Sequence, residues 1–289
     1  MAPNSVPWAV VDRRNLPLVA TVTCALGLVA AAIFGLVSDA GHARDVAMLH
    51  GFSALDQSRL NSAIRVLARV PDPLPYALIG LACIGVALSR QRPYRAATVA
   101  ILLVATGATT QILKRVMAEP RFAEWMGPWG QIENASWPSG HSTAAMTLAL
   151  CAVMVSPPAL RATTALVGGA FAIGVGYATL ALAWHYPSDV VGGFFVAGLW
   201  VSVAVAVLQR IEPARAETEV APPWEPLAVL GGLGAIVAAV AVGTEADTIA
   251  RYAQERTTVI AGALVIAALA LTLVATVSAA TTRAGRPAQ

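Results

Sequence analysis

The stretch Trp137-Pro138-Ser139-Gly140-His141-Ser142 runs directly into an uncharged apolar segment, residues 142–155. It reads as the mouth of a helix. The first N–H groups of a helix are free and its dipole favours negative charge there, so a Ser-Gly-His at that place can hold an anion. Gly140 lets the backbone approach a ligand closely, Ser139 adds a hydroxyl donor, and His141 gives or takes a proton near neutral pH. Taken by itself the stretch serves equally well as an ordinary capped helix start. Its surroundings decide between the two.

Those surroundings are membrane. Of 289 residues 57% are hydrophobic and only 12% charged. The mean hydropathy is +0.68. A soluble domain carries about a quarter charged residues. The net charge of +3 makes no case for nucleic-acid binding. Arginine outnumbers lysine 18 to 1, a bias that fits GC-rich coding and a bacterial source. Cys24, Cys83 and Cys151 each sit inside an apolar run and read as buried free thiols.

Working outward, the chain divides into apolar runs long enough to span a bilayer and polar joints between them. A short polar N-terminus, 1–15, precedes the first run, 16–37, for which a signal peptide is the rival reading because Arg13 and Arg14 stand ahead of it. Segment 38–72 places apolar residues at helical spacing among many charges and predicts an interfacial amphipathic helix, either a connector or a rim over a lipid-facing site. Further spans follow at 74–89, 96–117, 141–155, 162–183 and 190–208. Loop 118–138 carries Trp125, Trp129 and Trp137, as at a membrane interface. A linker, 209–226, leads to two more spans, 227–243 and 258–280, and a tail, 281–289.

With the N-terminus in the cytoplasm, cytoplasmic segments hold 10 Arg and outer segments 9 Lys/Arg, nearly a tie. Short loops decide it: Arg90, Arg92 and Arg95 draw theirs inside, and both termini agree. Lys114, Arg121, Ser139–His141 and His185–Asp189 then fall together at the outer face, and charges near a span are costly and usually functional.

The chemistry of that group is phosphoryl chemistry. Lys114 and Arg121 supply cations for phosphate oxygens, Lys as a point charge and Arg as a fork. Asp189, four residues after His185, can bond one ring nitrogen and leave the other free to attack phosphorus. His141 then gives its proton to the leaving oxygen and activates water. Each residue also has a plainer reading: Lys114 snorkelling at a helix end, Arg121 as a loop cation, Asp189 favouring a helix N-terminus. No His-Glu-x-x-His or Cys-x-x-Cys spacing occurs, so no metal and no cofactor is expected.

Together these motifs resemble the type 2 phosphatidic acid phosphatase family, the membrane lipid phosphatases related to vanadium haloperoxidases. That family carries Lys-x6-Arg-Pro, Pro-Ser-Gly-His and Ser-Arg-x5-His-x3-Asp. Lys114 and Arg121 keep the first spacing, with Phe122 in place of Pro. Pro138-Ser139-Gly140-His141 is intact. His185 and Asp189 match the third, but Ala178-Thr179 replaces Ser-Arg.

The match covers residues 101–195. It implies an all-α integral membrane protein with a six-helix phosphatase core, 16–208, to which two C-terminal transmembrane helices are added. It also implies His185, His141 and Asp189 as catalytic residues, and Lys114, Arg121, Ser139 and Gly140 on the phosphate. The family's missing Arg contacts phosphate; Arg115 or a cation of segment 38–72 is the available replacement.

The expectation is therefore a metal-independent lipid phosphatase or pyrophosphatase of the bacterial plasma membrane. It acts at the outer face on a polyprenyl or glycerophospholipid phosphate, its partner being that lipid and not a nucleic acid. A phosphotransferase using the same phosphohistidine, or an inactive lipid-phosphate binding or transport protein, is the alternative.

Overall fold

A computed structural model describes residues 15–53, 61–122, 131–213 and 257–281, and there the apolar runs are helices. In hydrocarbon every backbone group must be satisfied within its own segment, which a helix does. We number them α1 (Leu16–Ala32, continued by a π turn, Ile33–Val37), α2 (Asp39–Ser53), α3 (Asn61–Arg69), α4 (Pro73–Ser89), α5 (Pro93–Val116), α6 (Gly140–Val155), α7 (Arg161–Ala181), α8 (Pro187–Ile211) and α9 (Thr257–Thr281). Pro73, Pro93 and Pro187 each open a helix at a position whose N–H has no intrahelical partner to lose. Among the described residues the only strands are a two-residue antiparallel pair, Arg121–Phe122 with Gln131–Ile132, inside the expected loop.

Among the described residues five helices are long and apolar enough to cross a membrane, or six if residues 62–69 and α4, bent by 59°, form one span. Leu18, Val22, Leu26 and Val29 on α1, and Ile101 and Val104 on α5, face outward, as lipid requires. The expected span 141–155 is different. α6 has 16 residues, roughly 24 Å at 1.5 Å per residue and less than the ~30 Å hydrocarbon core. Twelve of them are buried. It is the centre of the bundle, in contact with α4, α5, α7, α8 and α9. Walled by protein, it need not match the bilayer.

α9 is part of this bundle rather than an appendage. Tyr177 donates to the Ala263 carbonyl at 2.6 Å, and Gln209 to the Ala280 carbonyl at 3.0 Å. Leu273 of α9 and Cys24 of α1 press on α8 at Gly198, where a Cβ would meet them at 2.7 and 2.9 Å. The other expected C-terminal span, 227–243, lies outside the described residues, as do residues 214–226 of the expected linker 209–226 and the termini. All three cysteines are buried free thiols.

Segment 38–72 contains two described helices, α2 and α3, and α2 packs as an amphipathic connector: Asp45, Leu49 and Phe52 are buried against α7, α8 and α9, while Ala40, Arg44 and Ala47 stay exposed. One expectation changes. Trp137 is not at an interface. It is 2% exposed, wedged against Gly192 of α8, where a Cβ would come within 2.9 Å of its indole nitrogen. A tryptophan next to a helix start is spent on packing when a glycine opposite opens the space.

At the bundle end away from these residues, Arg95 donates to both carboxylate oxygens of Glu212 at 3.1 Å and to the Met154 carbonyl at 2.8 Å. The arginines that close the short loop 90–92 thus tie α5, α6 and α8 together.

Candidate active site

α5 and α7 end, and α6 and α8 begin, at one end of the bundle, so antiparallel packing gathers four helix termini. The corner between α3 and α4 lies there too. Between them opens a cavity of about 850 Å³. Lys114, Gly140, His141 and His185 line it, with Arg69 and Asp72 from the corner and Glu133 just after the strand Gln131–Ile132.

His185 stands just before α8 in a segment the helix itself shapes. The Asp189 carboxylate accepts the Tyr186 N–H at 3.1 Å, closing the first turn, and the same oxygen lies 3.3 Å from His185 Nδ1. A neutral ring donating Nδ1–H to Asp189 leaves Nε2 free for the cavity. The Asp189 carbonyl accepts the Ser139 N–H at 2.9 Å, so the starts of α6 and α8 are tied to each other.

His141 lies across the cavity from His185. Their ring centroids are 6.4 Å apart and the planes tilt by 57°. One phosphoryl group can be shared by both rings. Trp184 borders His141 at 5.4 Å between centroids. His141 Nε2 is 3.2 Å from Asp72 Oδ1. Nothing lies within 4 Å of the position a Cβ would take on Gly140, so the first turn of α6 faces open space.

The remaining predicted residues are placed differently. Ser139 is fully buried, and its hydroxyl caps α6 by accepting the Ser142 N–H at 3.3 Å. Arg121 is 5% exposed and does not line the cavity. Its guanidinium bonds Asp189 and Ser136, lies 3.8 Å from Asp45 and stacks over the Tyr186 ring at 4.3 Å. An arginine beside two buried carboxylates is held by them, which spacing along the chain does not reveal. Thr179 is buried too, donating to the Gly176 carbonyl at 2.8 Å, so it brings no cation to the cavity.

Three contributors come from segment 38–72, where the sequence offered only an unspecified cation. Arg69 lines the cavity beside Lys114. Asp72 meets His141. Asp45 accepts the Ser188 N–H at 3.1 Å and bonds its hydroxyl, fixing the first turn of α8. Burial, with Asp189 nearby, pushes the Asp45 carboxyl up to about 7 against the pull of Ser188 and Arg121. The visible signal was the run of acids in a joint otherwise near membrane.

Among the described residues no cluster of His, Cys, Asp and Glu has a metal-binding arrangement. The arrangement is one for anion binding and proton transfer: two imidazoles, each with a carboxylate, two cations and an open helix N-terminus.

Comparison with known proteins agrees on fold and family. A family model described as the PAP2 superfamily matches residues 74–213. No curated protein matches the chain. Among solved structures, a transmembrane PAP2-type phosphatidylglycerolphosphate phosphatase from Bacillus subtilis is similar at a TM-score of 0.50 and 20% identity, covering 70% of this chain and 100% of that one. At that identity the likeness concerns the fold.

Proposed function

We propose that the chain, which belongs to the PAP2 superfamily, is a phosphatase that hydrolyses a membrane lipid phosphate at the outer face through a phosphohistidine on His185. The observation that carries this is the pair His185–Asp189 opposite His141 on the walls of one cavity at a single bundle end.

The steps follow from the placement. Asp189 holds His185 Nδ1–H, and Nε2 attacks phosphorus. The N–P bond forms as the bond from phosphorus to the lipid oxygen breaks. His141 gives that oxygen its proton, and the lipid alcohol leaves. A water then gives a proton to His141 and attacks the phosphohistidine, releasing inorganic phosphate and restoring both rings. Lys114, Arg69 and the first N–H groups of α6 are placed to offset charge on the phosphoryl oxygens. Arg69 is the natural replacement for the cation absent at position 179. Arg121, committed to Asp189 and Asp45, holds the nucleophile's support in place.

The cavity, about 850 Å³, is wide enough for a polar headgroup. A phosphomonoester such as a glycerophospholipid phosphate and a polyprenyl diphosphate both present the required terminal phosphoryl group. Outer-face orientation rests on the short arginine loop 90–95 at the opposite end, in the plasma membrane of a bacterium.

The test is phosphate release by purified protein from a panel of lipid phosphates and diphosphates, with and without chelator, beside His185→Ala. Chelator-resistant release that His185→Ala abolishes is expected. Release that survives His185→Ala, or that stops with chelator, overturns the mechanism.

A further inference from the structure

We propose that Asp72 is the positioning residue of His141, so that the site holds two histidine–carboxylate pairs, one for the nucleophile and one for the proton donor. The inference rests on the phosphatase reading above for its kinetic consequence, though not for the contact itself.

Asp72 occupies the N-cap of α4, where an aspartate ordinarily accepts an N–H from the second or third helical residue. Here it makes no such bond. Pro75 at the third position has no N–H to offer, and the carboxylate leaves the one remaining donor, Leu74 at the second, unused. Its backbone is fixed on both sides, the Asp72 N–H donating to the Arg69 carbonyl at 3.0 Å and the Asp72 carbonyl accepting the Tyr76 N–H at 2.9 Å. From that rigid corner Oδ1 reaches His141 Nε2 at 3.2 Å.

This contact selects which nitrogen works. With Nε2–H given to Asp72, Nδ1 is the atom left to exchange a proton with the lipid oxygen. As the P–O bond breaks the proton leaves Nδ1, while Asp72 stays ionised and keeps Nε2–H. A later water returns a proton to Nδ1. The contact is half open, the side chains being 28% exposed for His141 and 43% for Asp72, so substrate can reach the ring. The other charged or titratable groups facing His141 are His185 and Lys114, with Arg69 and Glu133 on the same cavity. Asp72 is the carboxylate among them that touches the ring.

The chain has four histidines, which makes the test direct. Protein labelled with 15N-histidine is purified in detergent, and the tautomer-sensitive ring resonances of His141 are assigned with His141→Gln. Asp72→Asn is expected to move the His141 signals while those of the other three hold, and Asp72→Glu to return them toward wild type. In parallel, Asp72→Asn is expected to lower kcat roughly 10-fold, a part of what a proton donor contributes, with KM unchanged and recovery in Asp72→Glu. Unmoved His141 signals in Asp72→Asn overturn the pair. Moved signals with unchanged kcat, or a loss that falls on KM alone, overturn its positioning role. Inactivity of the wild-type protein toward every lipid tested counts against the phosphatase reading, and the spectra still decide whether Asp72 holds His141.

Discussion

The guanidinium of Arg121 serves two buried carboxylates at once, bonding Asp189 and lying 3.8 Å from Asp45. One cation cannot fully compensate two buried anions. Asp189 has the closer contact, together with the Tyr186 N–H and His185. Asp45 has Ser188 and a share of Arg121. The orientation of His185 therefore depends on a network that crosses from α2 to α8.

Removing Arg121 leaves both acids buried without their cation. Arg121→Ala is expected to destabilise by about 3–5 kcal/mol, the usual consequence of breaking a buried ion pair from one side. Chemical unfolding in detergent measures it. Adding Asp45→Asn removes one of the stranded charges, so the double variant is expected to lose less than the two single losses summed. Simple additivity would show that the two residues are not coupled.

Asp45 gives the protein a pH dependence of definite sign. Its carboxyl titrates at about 7 in the fold against an ordinary 3.8. The folded state thus holds this proton more tightly than the unfolded chain. The stabilisation is fully present below about 4 and is lost as pH rises through about 7. Thermal melts from pH 5 to 8 are expected to show Tm falling with pH in the wild type. Asp45→Asn, which mimics the neutral group, is expected to flatten that fall. A Tm that rises across this interval in wild type but not in the variant contradicts the assignment.

Asp189→Asn keeps the size of the side chain but removes the charge that orients His185. A loss in kcat of roughly 10²–10⁴-fold is expected from a histidine in the wrong tautomer or orientation. Steady-state kinetics on a lipid phosphate reads it, and trapping of a phosphorylated enzyme locates it in the first step. An undiminished kcat would remove Asp189 from the mechanism.

Arg69 is expected to act on phosphate rather than on folding, since it is exposed at the cavity wall. Arg69→Ala is expected to cost roughly 30- to 1000-fold in kcat/KM, the equivalent of about 2–4 kcal/mol for a lost charge-assisted contact. Unfolding curves are expected to stay at wild type. An unchanged kcat/KM would return the question of the missing cation to Arg115.

Two glycines separate packing from ligand space. A Cβ at Gly193 would meet the Ser139 carbonyl at 2.7 Å and the Thr143 nitrogen at 3.0 Å, both backbone. Gly193→Ala is expected to push α8 from the start of α6, at about 1–3 kcal/mol of stability, with activity falling too. At Gly140 a Cβ meets nothing. Gly140→Ala is expected to fold normally and to weaken binding by occupying the anion's approach. Melts and KM values distinguish the two.

The sequence by itself determined the class, the helical nature of the described apolar runs and the local meeting of His185 with Asp189. Uncharged runs of membrane length can bury their backbone only as helices, and the i, i+4 spacing of His185 and Asp189 across the start of α8 brings the two side chains together locally. Pro-Ser-Gly-His announced a helix mouth because capping chemistry is local. The bundle itself decided what depends on distant segments. Arg121 looked like a free cation until two carboxylates closed on it, one of them from α2. Ser139 turned inward to cap α6, and Trp137 filled the gap left by Gly192. Asp72 became a partner of His141 because its side chain does not cap its own helix and the α3–α4 corner brought it across 69 residues of chain. Local spacing fixes which groups can meet within a turn; which charge meets which across the bundle is set by packing, and packing is a property of the whole fold.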